Sequence, residues 1–332
     1  MRTTTMVESL RVHITHRPPE SALGELSEHL VPRISVSTGD EVPGGTDILV
    51  CGRPSREQLN GGRVRALIIP YAGVPAETRD LLLAEFPQIA VHNLHHNAAA
   101  AAELTLALFL AAAKSLIPVD RCLRRHDWRS RYDGAMTVLL AGKTALVLGL
   151  GTIGTRIARA CDALGMRVVA VRRRADLPHP SFVLVHPPDA LHALLPQADV
   201  LFVTLPLTDA TRGMIGPDEL ALLPPTAILV NIARGAIVDE RSLYEALKDQ
   251  RLAGAGIDVW YRYPASEDSR AETPPSEFPF HELENVVMSP HRGGAFTVEE
   301  LERERMRHLA TTLNAMARNE PVPHRVDLEQ GY

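Results

Sequence analysis

Little in this sequence speaks for disulfides, zinc or a membrane. It has three cysteines, Cys51, Cys122 and Cys161, odd in number, far apart and in no C-x-x-C pair. That spacing argues against a disulfide framework or a zinc site and fits a reducing compartment. No apolar run reaches the roughly 20 residues needed to span a bilayer. The most apolar stretch, Ala98 to Ala113, is shorter and is interrupted by Glu103, so it reads as a buried core helix. The opening MRTTTMVESLRVHITHRP lacks the apolar segment of a signal peptide. Neither charge sign dominates: 35 Lys and Arg stand against 40 Asp and Glu, a net −5. Nothing in that balance calls for nucleic acid or an anionic membrane as partner. The expected setting is the cytoplasm.

What is present is apolar mass and alternation. Hydrophobic residues make up 45% of 332, enough for ordinary cores, and the length suggests two domains. LRVHIT (10–15), DILVCG (47–52), RALIIP (65–70) and IAVHN (89–93) read as buried strands, with helices at 21–30 and 76–86 between them. A long helix, roughly Asn97 to Ser115, closes this block, and a basic stretch, 120–134, follows. A second alternating block runs through KTALVLGLG (143–151), MRVVAVR (166–172), DVLFVTLP (199–206), AILVNIA (227–233), AGAGIDVW (253–260) and NVVMSPH (285–291). Strands alternating with helices imply parallel sheets covered on both faces. A last helix, about Val298 to Asn319, has no sheet of its own, and 265–280 reads as a surface loop.

The strongest local signal is Gly149-Leu150-Gly151-Thr152-Ile153-Gly154, which follows an apolar strand and opens a helix. In that context the three glycines serve a tight turn, close approach of backbone to a pyrophosphate, and close helix–strand packing. The next strand ends in Arg172-Arg173-Arg174, where an acid would normally hold the ribose hydroxyls of NAD. Guanidiniums there suit a 2′-phosphate, so NADP is the expected cofactor and NAD the alternative. A solvated basic turn is the bland reading of the same residues.

The chain resembles the D-isomer-specific 2-hydroxyacid dehydrogenase family, which includes phosphoglycerate, glycerate/hydroxypyruvate and D-lactate dehydrogenases. The resemblance is carried, in family order, by Tyr71-Ala72-Gly73-Val74, Asn97 to Glu103, Leu140 to Thr144 leading into the glycine loop, Leu205-Pro206-Leu207-Thr208 with Thr211-Arg212, Asn231 to Gly235, Gly256 to Trp260 and Ser289-Pro290-His291. It implies an α/β protein of two flavodoxin/Rossmann-like parallel-sheet domains with an interdomain cleft. The substrate-binding domain would be discontinuous, 1–115 plus 296–332, and the NAD(P)-binding domain 116–295. It also implies a homodimer formed through the cofactor domain.

The same resemblance assigns roles. Arg234 would bind and polarise the substrate, and His291 would exchange the proton and border the cofactor. The backbone of Ala72, Gly73 and Val74 would hold the substrate carboxylate. Leu205, Pro206, Thr208, Ile232, Ala233, Asp258 and Gly293 would join the glycine loop in binding the cofactor. One position departs: the family places a Glu five residues after the Asp of its Gly-x-Asp-Val segment, to orient the His and raise its pKa. Here that position is Tyr263, and no acid lies nearer than Glu267. Glu272, Glu277, Glu282 and Glu284, in the loop before Asn285, are possible substitutes. His95-His96, just before Asn97, could select an extra anionic or polar substrate group or be structural. The leading expectation is hydride transfer between NAD(P) and a small 2-hydroxy/2-keto acid. Alternatives are a dehydrogenase for another anion such as phosphite, and a dinucleotide-sensing interaction protein of the same fold.

Overall fold

The uninterrupted apolar runs become parallel strands, because a strand covered on both faces needs apolar residues at successive positions rather than alternate ones. The computed structural model describes residues 9–61, 63–132, 137–294 and 298–330. The chain divides into two compact units, Met1–Asn97 with Ala295–Tyr332, and Ala98–Gly294.

The first unit contains β1 (Leu10–Ile14), α1 (Glu20–His29), β2 (Ile34–Thr38), β3 (Ile48–Val50), α2 (Arg56–Asn60), β4 (Ala66–Ile69), α3 (Ala76–Glu85) and β5 (Ala90–Asn93). Its five-stranded sheet is parallel in the order β2-β1-β3-β4-β5, the flavodoxin-like arrangement. The edge strand β2 was not expected from the sequence. In ISVST the partly buried and exposed positions alternate, so it lacks a continuous apolar run.

The second unit contains α4 (Ala98–Ala113), α5 (Leu116–Arg124), β6 (Thr144–Leu148), α6 (Thr152–Ala163), β7 (Arg167–Val171), β8 (Val183–His186), α7 (Leu191–Leu194), β9 (Val200–Val203), α8 (Pro217–Leu222), β10 (Ile228–Asn231), α9 (Glu240–Lys248), β11 (Gly254–Ile257) and β12 (Val286–Met288). Its seven strands run parallel in the order β12-β11-β10-β9-β6-β7-β8, a doubly wound order with the chain reversing direction between β6 and β9. α10 (Glu299–Arg318) returns to the first unit. There Met306, Leu309, Ala310 and Leu313 pack with Leu10, Val12 and Ile14, so the last helix does cover a sheet. Arg307 bonds Glu25 of α1 at 2.6 Å.

The sequence reading closed the first block with the long helix ending at 115. In the structure α4 packs instead on α6, β10, β11 and β12 of the second unit. Gly256 permits that approach: a Cβ there would stand 2.9 Å from Leu108 Cβ. The expected boundary at 295/296 lies outside the described residues. No single helix among the described residues is long and apolar enough to cross a membrane.

Register fixes where a site can form. In the larger sheet Leu148 pairs with Val171 and Val203, Asn231 pairs with Val203 and Ile257, and Ile257 pairs with Met288. The segments after residues 148, 171, 203, 231, 257 and 288 therefore leave the sheet along one carboxyl edge, where doubly wound sheets bind ligands.

Candidate active site

The glycine loop fits a dinucleotide pyrophosphate by its shape. Gly149 has φ +96, a left-handed conformation that side chains avoid, and a Cβ there would lie 3.0 Å from Thr204 O. A Cβ on Gly154 would overlap Gly149 O, so only hydrogen lets α6 start this close to the strand. Gly151, by contrast, caps α6 with nothing within 4 Å of the place its Cβ would occupy. No side chain caps this helix, so the first-turn amides around Thr152 and Ile153 keep donors for an anion. Thr204, which the sequence reading did not single out, fastens the loop by donating from Oγ1 to Leu148 O (2.9 Å) or Gly149 O (2.6 Å).

The three arginines after β7 separate in the structure. Arg172 folds back and donates to the carbonyls of Leu177 and Pro178, while its Nε is buried without a partner. It shapes the loop. Arg173 and Arg174 are exposed.

Across the sheet, Leu205, Pro206 and Thr208 form a half-buried turn held by Thr211, whose Oγ1 bonds Pro206 O at 2.7 Å and receives Thr208 N at 2.8 Å. Asn231 ends β10 and governs the next turn. Its Oδ1 accepts from Ala233 N (3.0 Å) and its Nδ2 donates to Arg234 O (3.1 Å). Ile232 and Ala233 lie inside that turn, and exposed Arg234 emerges from it. Gly235 must be glycine, since a Cβ would overlap Trp260 O.

Asp258, 1% exposed, organises the other wall. Its Oδ1 accepts from Ser289 Oγ (2.5 Å) and Arg292 N (2.7 Å), and its Oδ2 from Gly293 N (2.8 Å). Trp260 Nε1 adds a bond to Ser289 O at 2.8 Å. Between these anchored residues His291 adopts φ +56. A left-handed non-glycine persists only where its surroundings over-determine it, and here the bonds on both sides do so.

Tyr263 lies beside that histidine, with ring centroids 5.5 Å apart. Its hydroxyl turns away and accepts from Trp260 N at 3.1 Å. Burial raises the Tyr263 pKa above 10.0, and the Asp258 charge acts in the same direction, so the phenol is neutral at ordinary pH. The His291 pKa is lowered, first by burial and next by the Arg234 charge, with Asp258 opposing. The loop glutamates do not replace the expected acid. Glu277 pairs with Arg262, Glu284 with Arg121 (3.7 Å), and Glu282 lies beside His281 (4.0 Å). The structure thus brings Arg234, Asp258, Tyr263 and His291 together, with no carboxylate paired to His291 among the described residues.

In the first unit, Ala72, Gly73 and Val74 form a half-buried turn after β4, with Gly73 at φ +87. The two adjacent histidines differ. His95 bonds Asn93 Oδ1 at 3.0 Å, and its ring lies tilted against His324 with centroids 4.5 Å apart. Burial, then His324 and His308, lower its pKa to about 4. His96 is 5% exposed and accepts from Arg305 Nε at 3.3 Å. Burial, then Arg305, lower its pKa to about 3. Arg305 had no signal in the sequence, being one arginine among Arg303, Arg307 and Arg318 on the same helix.

Comparison with known proteins agrees with this geometry. Residues 106–293 match the family model for the D-isomer specific 2-hydroxyacid dehydrogenase NAD binding domain. The chain is 32% identical over 278 residues to a D-3-phosphoglycerate dehydrogenase of Methanocaldococcus jannaschii, covering 83% of this chain but only 49% of that protein. It is 36% identical over 235 residues to a glyoxylate reductase of Aeropyrum pernix, covering 69% and 67% of the two. Among solved structures it is similar to a D-isomer specific 2-hydroxyacid dehydrogenase of Xanthobacter autotrophicus Py2 in complex with NADPH and MES. The TM-score is 0.79 at 24% identity, covering 98% of this chain and 100% of that one.

Proposed function

From the premise that this chain belongs to the D-isomer specific 2-hydroxyacid dehydrogenase family, we propose that it reduces a small 2-keto acid to the 2-hydroxy acid, and catalyses the reverse. The observation that carries the reading is Arg234 and His291 at one sheet edge with a tight glycine loop, in which Gly151 has nothing within 4 Å of the place its Cβ would occupy and so leaves its backbone open to a close ligand. A nicotinamide dinucleotide held at that cradle supplies the hydride. Arg234 binds the substrate carboxylate and C2 oxygen through its two-pronged guanidinium and draws negative charge onto that oxygen. His291 holds the proton that the C2 oxygen takes in reduction, and receives it in oxidation. Asp258 keeps His291 in place through Ser289, Arg292 and Gly293. The first unit receives the acid through the backbone at Ala72–Val74, with His96 beside α10.

NADPH is the preferred reductant, with Arg173 and Arg174 meeting the 2′-phosphate while Arg172 holds their loop. Exposed Leu116, Leu123, Trp128, Tyr132 and Leu139, on and after α5, support a homodimer built on the cofactor unit. The free thiols of Cys51, Cys122 and Cys161 suit a cytoplasmic setting. The test is steady-state turnover with glyoxylate, hydroxypyruvate and phosphorylated 2-keto acids, using NADPH and NADH in parallel. Turnover of at least one acid, faster with NADPH, is expected. NADPH binding without turnover of any of them would refute the catalytic reading in favour of a dinucleotide sensor.

A further inference from the structure

The first unit holds a set of polar atoms that the proposed reaction leaves unexplained. His16 lies two residues beyond β1 and His96 three beyond β5, both at the carboxyl edge of the sheet; Arg305 of α10 bonds His96, and after burial its charge is the next cause that lowers the His16 pKa. Because Arg305 Nε donates to His96 Nε2, that nitrogen carries the lone pair. The single proton of the neutral ring is then on Nδ1. Yet His96 Nδ1 is buried and has no hydrogen-bond partner, and the same holds for His16 Nε2. A buried donor without an acceptor is rare and costly, and His96 Nδ1 asks for an oxygen; His16 Nε2 is a second buried nitrogen left unpaired. Arg305 uses Nη1 on Glu302 at 3.0 Å and Nε on His96. Its Nη2 makes no hydrogen bond to the described residues. His95 is not part of the set, being committed to Asn93 and His324.

Charge narrows the ligand. The Arg305–Glu302 pair is nearly out of water, its side chains 13% and 17% exposed, and sums to zero. With neutral imidazoles beside it, a doubly charged phosphate would meet the Glu302 carboxylate without matching positive charge. A carboxylate carries one charge and two acceptor oxygens, which suit a guanidinium nitrogen and an imidazole N–H. We infer that His96, Arg305 and His16 form a subsite for a single carboxylate group of a small molecule, contained within the first unit. The inference rests on the reading that this unit receives the acid substrate, and it makes the ligand a carboxylate-bearing molecule rather than a phosphorylated one.

The test uses the full chain saturated with NADPH and carrying Arg234→Gln, which removes the guanidinium of the proposed catalytic site, and follows His96 so that binding at the Ala72–Val74 backbone is not mistaken for the subsite. Malonate and inorganic phosphate are titrated while the imidazole nitrogens are followed by ¹⁵N NMR. Malonate should shift His96 Nδ1. His96→Phe and Arg305→Gln should each weaken malonate binding about tenfold or more, with phosphate weaker than malonate throughout. Thermal melting shows that each variant is folded, and Arg305→Gln, which leaves the buried ring in place, keeps the test open if His96→Phe unfolds. An unmoved His96 signal would mean a buried water satisfies the ring and would overturn the subsite. Tighter phosphate binding, or malonate affinity unchanged in Arg305→Gln, would overturn it too. Malonate binding here with no turnover of any 2-keto acid by the unsubstituted chain would refute the reaction and leave the subsite standing.

Discussion

Replacing Tyr263 by Glu puts a carboxylate where a neutral phenol now borders His291. The rings are 5.5 Å apart, which sets the scale of the interaction. Coulomb's law at about that distance gives ~3 kcal/mol for an effective dielectric of about 20 and ~1.5 kcal/mol for about 40. Tyr263 is 48% exposed, so the better-screened figure applies. At roughly 1.4 kcal/mol per pKa unit, His291 should rise by about one unit. The sign follows from the proton it must carry. His291 now titrates below 6.5, because burial and Arg234 disfavour the imidazolium. Reduction needs the protonated ring, so kcat/KM for reduction falls as pH rises past that pKa. Tyr263→Glu should move this limb upward by about one unit, and one unit above the original pKa the protonated fraction should grow about fivefold. The assay is the pH profile of kcat/KM for reduction of a 2-keto acid at saturating NADPH. Tyr263→Phe is the control, since it removes the Trp260 contact without adding charge and should leave the limb in place. A limb unmoved in Tyr263→Glu, together with full activity in His291→Ala, would refute the assignment of His291 as proton donor.

Arg234→Lys keeps the charge but loses the fork, so kcat/KM should fall about 10²- to 10³-fold while NADPH affinity measured by fluorescence stays within about twofold. Near-normal turnover would remove Arg234 from the site. Asp258→Asn sets an amide N–H₂ against backbone N–H donors at Arg292 or Gly293 and should cost about 2–3 kcal/mol of stability, along with most of the turnover. A variant with unchanged melting temperature and rate would show that the His291 turn is held by something else. His95 and His96 stay neutral in the fold down to about pH 4 and 3, whereas the unfolded chain takes up their protons near 6.5. Protonation therefore favours the unfolded state. Stability present above pH 6.5 should drain away as pH falls from 6.5 toward 4, which urea midpoints measure. His96→Phe should flatten that slope, and an unaltered slope would show the drop arises elsewhere.

How far the sequence could be read depends on how local each feature is. The continuous apolar runs fixed most strands of both sheets, since parallel strands buried on both faces leave no other pattern. The two strands it did not mark, β2 and β8, are outermost strands of their sheets and half in solvent; β2 is short of apolar residues, and β8 holds only three, Val183 to Val185, with Leu184 exposed. The glycine loop was legible because its geometry is local: a positive φ at Gly149 and a forbidden Cβ at Gly154 follow from a few adjacent residues. Arg234 and His291 stood out by their motifs, and the register of β10, β11 and β12 places both at one edge.

What the sequence left open concerns partners distant along the chain. It could not distinguish Arg172 from Arg173 and Arg174, because only the returning loop carbonyls of Leu177 and Pro178 single it out. It offered four glutamates as substitutes for the missing acid, and only the folded loop shows those that reach Arg262 and Arg121 instead. His95 and His96 are neighbours in sequence, yet one meets His324 ring to ring and the other meets Arg305, each more than two hundred residues away. The sequence alone determined the fold class, the glycine loop and the motifs that carry Arg234 and His291, because periodicity, backbone sterics and short motifs are local properties. Tertiary structure alone decided which charges are spent, which imidazoles stay unpartnered and which carboxylate holds the His291 turn. Those outcomes depend on register and packing, which bring together groups that no spacing along the chain connects.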